Sequence, residues 1–162
     1  MPLITVDGFR EDPFVPLEDT APLPDGAVLV SLARFQAERD VLIARNALIG
    51  VCLKSDQSPE QLGEDVHRLS LVALEFPKFR DGRAFSWARL LRTRLGFTGE
   101  VRAVGDFLYD QIAYQKRVGF DAWDVADGFT PADLHRALNE ISNVYQPSAD
   151  GRKTIRQLRV SA

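Results

Sequence analysis

The chain has 162 residues, a mass of 18.1 kDa and a formal net charge of -3, and 45% of its residues are apolar. These values fit one domain with a substantial core and exclude two full domains or global disorder. The single Cys excludes a disulfide framework, a CxxC redox pair and an iron–sulfur cluster held by Cys within the chain. Two His residues beside one Cys argue against an internal zinc site, and a pI near 5.4 argues against general nucleic-acid binding.

The two ends of the chain differ in composition from its middle. Residues 1–26 are rich in proline and acidic side chains, which predicts an extended N-terminal arm. Residues 143–162 carry a basic run and predict a C-terminal arm of opposite charge. Each arm is either a solvated tail or a docking segment for a partner. Because the sequence has neither a signal peptide nor an apolar run of about 18 residues, we expect a cytoplasmic protein without membrane attachment.

Residues 27–142 predict a single α/β domain in which five strands alternate with helices. The strands are short apolar runs, whereas the helices repeat apolar residues at helical spacing. Ser58-Pro59 and Thr130-Pro131 mark helix starts, and Gly96 and Gly119 mark helix ends. In chain order the predicted elements are a strand at 27–32, a helix at 33–46, a strand at 47–53, a helix from 58, a strand at 69–76, a helix at 84–95, a strand at 100–105, a helix at 106–118, a strand at 121–126 and a helix at 130–142.

The continuous apolar strands predict a mainly parallel five-stranded sheet with helices on both faces. An open doubly wound sheet is the preferred architecture. The alternative is part of a (β/α) barrel that a partner completes. In either fold, ligands bind beyond the carboxyl ends of the strands. This rule points to Ser31, Lys54, the loop at 75–83, Gly105-Asp106 and the segment at 124–127.

The loop after the third predicted strand has the densest polar pattern. Asp81-Gly82 forms a turn, and a helix begins directly after it with free N–H groups. Arg83, Ser86 and Arg89 are spaced by three, so they share one side of the first turns. These residues can hold a small anion or an acidic partner. The alternative is a solvated Arg face with Asp81 as the helix cap.

The next strand end offers a second group of polar residues. Arg102 lies in the strand, and Gln111 follows in the helix, so both are candidate anion- or partner-binding residues. Asp106 and Asp110 are four residues apart and are expected on one helical face. Such paired carboxylates are candidate catalytic residues for acid–base chemistry or ligands for a hard cation. The simpler interpretation makes Asp106 a helix cap and pairs Asp110 with an Arg.

No cofactor motif is recognisable in the chain. It lacks GxGxxG, GxxxxGK[ST] and GxSxG, so no dinucleotide, nucleotide or serine-hydrolase fingerprint supports an enzyme. His67 and His135 are interpreted as surface or capping residues. Cys52 lies in an apolar strand and is interpreted as a buried small apolar residue. No metal site is predicted.

Three blocks of the sequence carry a resemblance to a known family. The first comprises FP at 76–77, DGRAFS at 81–86 and ARLLR at 88–92, the second is GFTGEVRAVGD at 96–106, and the third comprises DQ at 110–111 and GFDA at 119–122; the tail YQP at 145–147 adds to them. With residues 27–160 as a whole, they resemble a bacterial family of unknown function. Its members are commonly labelled as oxidoreductases of sulfite reduction, because they accompany the sulfite reductase haemoprotein in sulfur-assimilation operons. The resemblance implies a pathway setting and no particular catalytic residues.

The label and the residues disagree about electron transfer. An oxidoreductase of sulfite reduction needs an electron carrier, and this chain has no motif that holds one. We therefore expect an accessory or adaptor protein that binds the sulfite reductase haemoprotein or its electron donor. The alternatives are an enzyme that binds a small anion and a flavin-type oxidoreductase, each using the carboxyl edge of the strands. The sequence leaves a homodimer open.

Overall fold

Eight short β-strands, β1 to β8, form one mixed sheet in the computed structural model, which describes residues 1–160. Their bounds are Leu3–Thr5, Gly8–Arg10, Val15–Pro16, Val28–Ser31, Ile49–Leu53, Leu71–Phe76, Glu100–Gly105 and Ala122–Asp124. The order across the sheet is β2-β1-β8-β7-β6-β5-β4-β3. The strands from β3 to β8 are parallel to their neighbours, while β1 runs antiparallel to both β8 and β2.

Six α-helices and two 3₁₀ helices connect or follow these strands within residues 1–160. The α-helices α1 to α6 span Leu32–Ala37, Arg39–Ala44, Arg83–Thr93, Ile112–Val118, Pro131–Asn139 and Ile155–Val160. The 3₁₀ helices span Pro59–Arg68 and Tyr109–Gln111. Ser58 caps the first 3₁₀ helix, and Thr130 and Asp133 form a capping box on α5, as their sequences predict. Over the described residues, every helix is too short or too polar to cross a lipid bilayer.

The strand order corrects the preferred architecture. From β3 to β8 each strand pairs with the next one along the chain, so the order never reverses as a doubly wound sheet requires. Right-handed crossovers that all run in one direction place the helices on one face of the sheet. The prediction of helices on both faces is therefore wrong. The partial (β/α) barrel, which was the alternative, fits the sequential order.

The prediction of five strands also missed the contribution of the N-terminal segment. Residues 1–26, expected as an extended arm, supply β1, β2 and β3 to the two edges of the sheet. These strands contain only two or three residues each, so they are too short to produce an alternating apolar pattern. Segment 1–26 is thus tied into the sheet by backbone pairing.

The hydrophobic core lies between the helices and one face of the sheet. Alternate residues of each strand point to this face, including the buried Val51, Leu74 and Val101. Buried Phe35 of α1 and Leu91 of α3 belong to the same core cluster. The continuous apolar runs that predicted the strands therefore reflect burial of this helical face together with small residues on the other one.

The other face of the sheet is concave and carries small and polar residues. In register across it lie Ser31, Cys52, Ala73, Arg102 and Ala122. None of these residues belongs to the core cluster under the helices. The two faces of the sheet therefore have different chemistry, and the concave face is the one that presents polar groups.

The chain itself shows that the sheet is strongly curved. Strands β2 and β3 lie at opposite edges of the sheet, yet only residues 11–14 separate them. An extended chain from Arg10 to Val15 spans about 17 Å at most. A flat sheet of eight strands would place its edges about 34 Å apart at the usual spacing. Residues 11–14, here called the strap, therefore cross the concave face of a curled sheet.

A buried arginine holds the strap against the sheet. The side chain of Arg102 is only 1% exposed, and its two terminal nitrogens donate to Asp12 of the strap at 2.6 and 3.0 Å. Its Nε donates to Glu100 at 2.9 Å, and its guanidinium lies 5.8 Å from the ring centre of Phe14. Burial opposes ionisation of Asp12, but hydrogen bonds from Arg102 and from the N–H of Phe14 outweigh it and lower its pKa.

The C-terminal segment also contacts the domain. In residues 143–160, expected as part of a basic arm, Val144 is buried and its carbonyl accepts from the N–H of Ile155 at 2.8 Å. Arg117 of α4 pairs with Asp150 at 3.0 Å. The segment is therefore anchored on α4, while several of its basic side chains remain exposed. The last two residues of the predicted arm, Ser161 and Ala162, lie outside the described residues.

We predict that Arg102→Met lowers the free energy of unfolding by about 3 kcal/mol, because it leaves Asp12 and Glu100 without their buried cation. Urea denaturation measures the change. The control is Arg94→Met, which removes an exposed pair with Glu60 and should change stability by less than about 0.5 kcal/mol. Equal effects of the two substitutions would contradict the role given to Arg102.

Candidate functional site

The predicted anion site lies where the loop between β6 and α3, residues 77–82, enters the helix, and the structure pairs the first arginine of the site, Arg83, internally. Asp81 Oδ1 accepts from Arg83 Nε at 3.0 Å, and Oδ2 accepts from Nη2 at 2.6 Å. Arg83 also donates to the buried Ser55 hydroxyl at 2.8 Å. The hydrogen bonds from Arg83 hold the pKa of Asp81 far below its usual value. Arg83 therefore joins two loops, and its charge is neutralised by Asp81.

The other two members of the predicted trio are exposed on α3. Ser86 and Arg89 both face solvent, and Arg89 forms no ion pair among the described residues. Because Arg83 is engaged by Asp81, the three side chains do not form one set of free donors. Asp81 also accepts from the N–H of Arg83 at 3.2 Å, which satisfies a free donor at the start of the helix.

The exposed part of the same loop combines positive charge with an aromatic ring. Lys78 and Arg80 are exposed, and the Arg80 guanidinium lies 5.3 Å from the centre of the Phe79 ring, which is 38% exposed. Gln111 Nε2 donates to the carbonyl of Phe79 at 2.9 Å, while its Oε1 accepts from the N–H of Leu108 at 3.0 Å. Gln111 thus positions this loop against its neighbour.

The predicted carboxylate pair does not lie on one helical face. The helix after β7 begins at Tyr109 with Leu108 as its N-cap, so Asp106 lies in the preceding loop and does not cap it, and its N–H donates to the carbonyl of Phe76 at 2.7 Å. Asp110 lies in the 3₁₀ turn, and both side chains are exposed. Gly105 between strand and loop has a φ of +94°, and a Cβ there would approach the Phe76 carbonyl oxygen to 2.4 Å. In residues 1–160, no three His, Cys, Asp or Glu side chains come together as metal ligands.

Arg102, the remaining predicted anion-binding residue, is buried beneath the strap. Its guanidinium faces Asp12, Glu100 and, at 4.0 Å, Asp124. Burial raises the pKa of Asp124, although the charge of Arg102 opposes that shift. Three carboxylates around one buried cation leave it no free donor face for an external anion. Arg102 is therefore placed to hold the strap.

A cavity of about 340 Å³ opens on the concave face at the carboxyl ends of β4, β5 and β6. Ser31, Cys52, Lys54 and Glu75 line it, together with Asp19 from the segment after β3. Ser31 and Lys54 were among the strand-end positions to which the ligand rule pointed. Glu75 was included only as the first residue of the loop at 75–83. Its position in the cavity lining follows from which face of β6 it occupies, and the sequence alone does not reveal that face.

The thiol in this cavity is held in its neutral form. Burial, with added repulsion from Glu75 and Asp124, raises the pKa of Cys52 to about 11. The thiolate, which is the reactive form, is therefore scarce at neutral pH. The interpretation of Cys52 as a small apolar residue of the sheet agrees with this environment.

Comparison with known proteins gives one match. Residues 50–156 match the model of a family described as "Bacterial protein of unknown function (DUF934)". No curated protein matches the chain, and no solved structure does. The matched residues include β5 from Gly50 onward, β6 to β8, the loop at 77–82, Gln111 and four of the cavity-lining residues.

We predict that iodoacetamide alkylates Cys52 at least tenfold more slowly in the folded protein than in the urea-unfolded chain at pH 8. The reason is that a rise in thiol pKa to about 11 removes most of the reactive thiolate. Mass spectrometry over time measures the rate, and the single Cys of the chain makes the signal unambiguous. Equal rates in the two states would contradict the neutral thiol.

Proposed function

The chain belongs to the bacterial protein family of unknown function DUF934, and from this premise we propose that it is an accessory protein of assimilatory sulfite reduction. In this function it binds the sulfite reductase haemoprotein or its electron donor and carries no redox group of its own. The pathway setting rests on the sequence resemblance described above. The mode of action rests on the loop at residues 77–82.

The observation that carries the proposal is an exposed, preorganised loop with Arg and aromatic side chains. Arg and aromatic residues supply much of the binding energy at protein interfaces. Here the Arg80 guanidinium stacks on the Phe79 ring, and the Gln111 side chain holds the backbone carbonyl of Phe79 by a hydrogen bond. A loop held in one conformation loses little entropy on binding. The nearby Lys78 adds positive charge, so an acidic partner surface is favoured.

The C-terminal segment offers a second positive surface. Lys153, Arg156 and Arg159 are exposed in the residues around α6. Charge of this kind steers association with an acidic partner, and its effect weakens as salt rises. The proposal therefore includes a complex that is stronger at low than at high ionic strength.

The alternative of a small-anion-binding enzyme has less support. Two of its arginines, Arg83 and Arg102, are each held by a carboxylate through two hydrogen bonds. Binding of sulfite there would require a carboxylate to be displaced or the two negative charges to share one cation. Its candidate bases, Asp106 and Asp110, are exposed and lie on different elements. For the flavin-type alternative, no contact in the fold favours a particular binding surface.

We predict that this protein co-purifies with the sulfite reductase haemoprotein or with its electron donor at low salt, and less at high salt. Arg80→Glu should weaken the complex at least tenfold, because it reverses the charge of the central loop residue. Arg68→Glu is the matched control, since Arg68 is exposed at the end of a 3₁₀ helix away from that loop. The affinity for each immobilised partner is measured by surface plasmon resonance.

A complex that Arg80→Glu and Arg68→Glu weaken equally would refute the loop as the docking surface. The absence of binding to both partners at low salt would refute the proposal as a whole. Circular dichroism and thermal unfolding confirm that the two variants are folded, so that a lost complex reports on the surface itself.

A further inference from the structure

The cavity on the concave face contains charged side chains that the fold itself does not pair. Most buried or half-buried charges in residues 1–160 have an ionic partner, as Arg92, Arg102 and Arg117 show. The half-buried Glu75 lines the cavity and takes part in no ion pair among the described residues, and neither does Lys54, an exposed side chain of the same lining. Asp19 also lines it and makes no ion pair there, accepting only from the Ser31 hydroxyl at 2.6 Å. The half-buried carboxylate of Glu75 without an ion pair, with the Lys54 cation in the same lining, is a pattern that a ligand with both signs of charge would complement.

The sheet register places the two charges of opposite sign side by side. Leu53 of β5 pairs with Leu74 of β6, so the next residues, Lys54 and Glu75, are neighbours on adjacent parallel chains. Adjacent strands lie about 4.8 Å apart. The ammonium and carboxylate of an α-amino acid are attached to one carbon atom, so they can reach Glu75 and Lys54 at the same time. This match sets the position and orientation of the ligand head group.

The rest of the cavity is suited to an apolar side chain. Leu17 and Leu29 form part of its wall, and Cys52 contributes an uncharged thiol. The wall segment after β3 is fixed, because the buried Arg34 donates to the carbonyl of Ala21 at 2.6 Å. A volume of about 340 Å³ lies at the lower end of the range for small-molecule sites.

We propose that this cavity binds a zwitterionic α-amino acid with an apolar side chain. Lys54 binds its carboxylate, Glu75 binds its ammonium group with Asp19 adding negative charge, and Leu17 and Leu29 contact its side chain. With two carboxylates and one ammonium group, the site favours a zwitterion over a bare inorganic anion such as sulfite. The site is separate from the loop at 77–82 and does not depend on the accessory function proposed above.

The test uses the full chain and four probes: L-leucine, N-acetyl-L-leucine, L-leucine methyl ester and sodium sulfite. Two-dimensional ¹H–¹⁵N NMR follows the amides of Ser31, Cys52, Lys54 and Glu75 during titration to millimolar concentrations. We expect saturable shifts with L-leucine, and binding at least tenfold weaker with each derivative, because each one removes a charge-assisted hydrogen bond. We expect no shifts at these amides with sulfite.

Variants of the two charged residues test the assignment of each head group. Lys54→Met and Glu75→Gln should each weaken L-leucine binding at least tenfold. Arg68→Met and Glu64→Gln are matched controls, since both residues are exposed and outside the cavity, and they should leave binding unchanged.

Three results would overturn the proposal: no shifts with L-leucine, equal binding of L-leucine and its N-acetyl derivative, or sulfite shifts at the same four amides. Because the four probes are compared on the unchanged protein, these results stand even if a variant fails to fold. None of them involves the partner proteins, so failure here is distinguishable from failure of the accessory function.

Discussion

The ion pair between Arg102 and Asp12 holds together two parts of the chain that are 90 residues apart. Arg102 is buried on the concave face of β7, where an unpaired guanidinium would be strongly unfavourable. Asp12 of the strap accepts hydrogen bonds from the Arg102 guanidinium, and the ring of Phe14 lies beside the same group. These contacts keep the four residues between β2 and β3 close to the sheet. Because the strap joins opposite edges over so short a distance, it is compatible only with a strongly curved sheet.

The curvature in turn explains where the chemistry lies. Small residues on the concave face, such as Gly50 and Ala73, let the strands curl, and Gly50 has no room for a side chain beside Leu71. The carboxyl ends of the strands then approach one another around a common opening. The cavity with Lys54 and Glu75 lies at that edge, and the loop at 77–82 follows β6 at the same edge. One edge thus carries both proposed sites, the docking surface for a partner protein and the cavity for a small molecule.

Sequence reasoning located the repeated units better than their arrangement. Apolar runs and caps at Ser58 and Thr130 predicted five of the strands and the major helices, because those signals are local. The order of the strands, by contrast, depends on backbone pairing between distant segments, which a short stretch of sequence does not indicate. The N-terminal strands were missed for a further reason: their prolines and acidic residues resemble those of a solvated arm, while the partner of Asp12 lies far along the chain.

The contacts of the candidate site residues were also difficult to predict, because several of them involve partners elsewhere in the chain. Arg83 and Arg102 were selected for their charge, but their partners Asp81 and Asp12 determine what those charges do, and only one of these partners is a sequence neighbour. Gln111 was selected as an anion- or partner-binding residue, and the structure shows its side chain donating to the carbonyl of Phe79, which gives that position a role in ordering the loop. The strand-end rule named Ser31 and Lys54 without identifying the cavity that joins them.

The central claim is that the protein acts by binding a sulfite reductase component through the loop at residues 77–82. Hydrogen–deuterium exchange of the full chain, alone and mixed with the sulfite reductase haemoprotein or its electron donor, measures this directly. The account predicts slower exchange of the amides of Lys78, Phe79 and Arg80 in the complex, with unchanged exchange in α5. A complex that forms while exchange in this loop is unaltered would contradict the account.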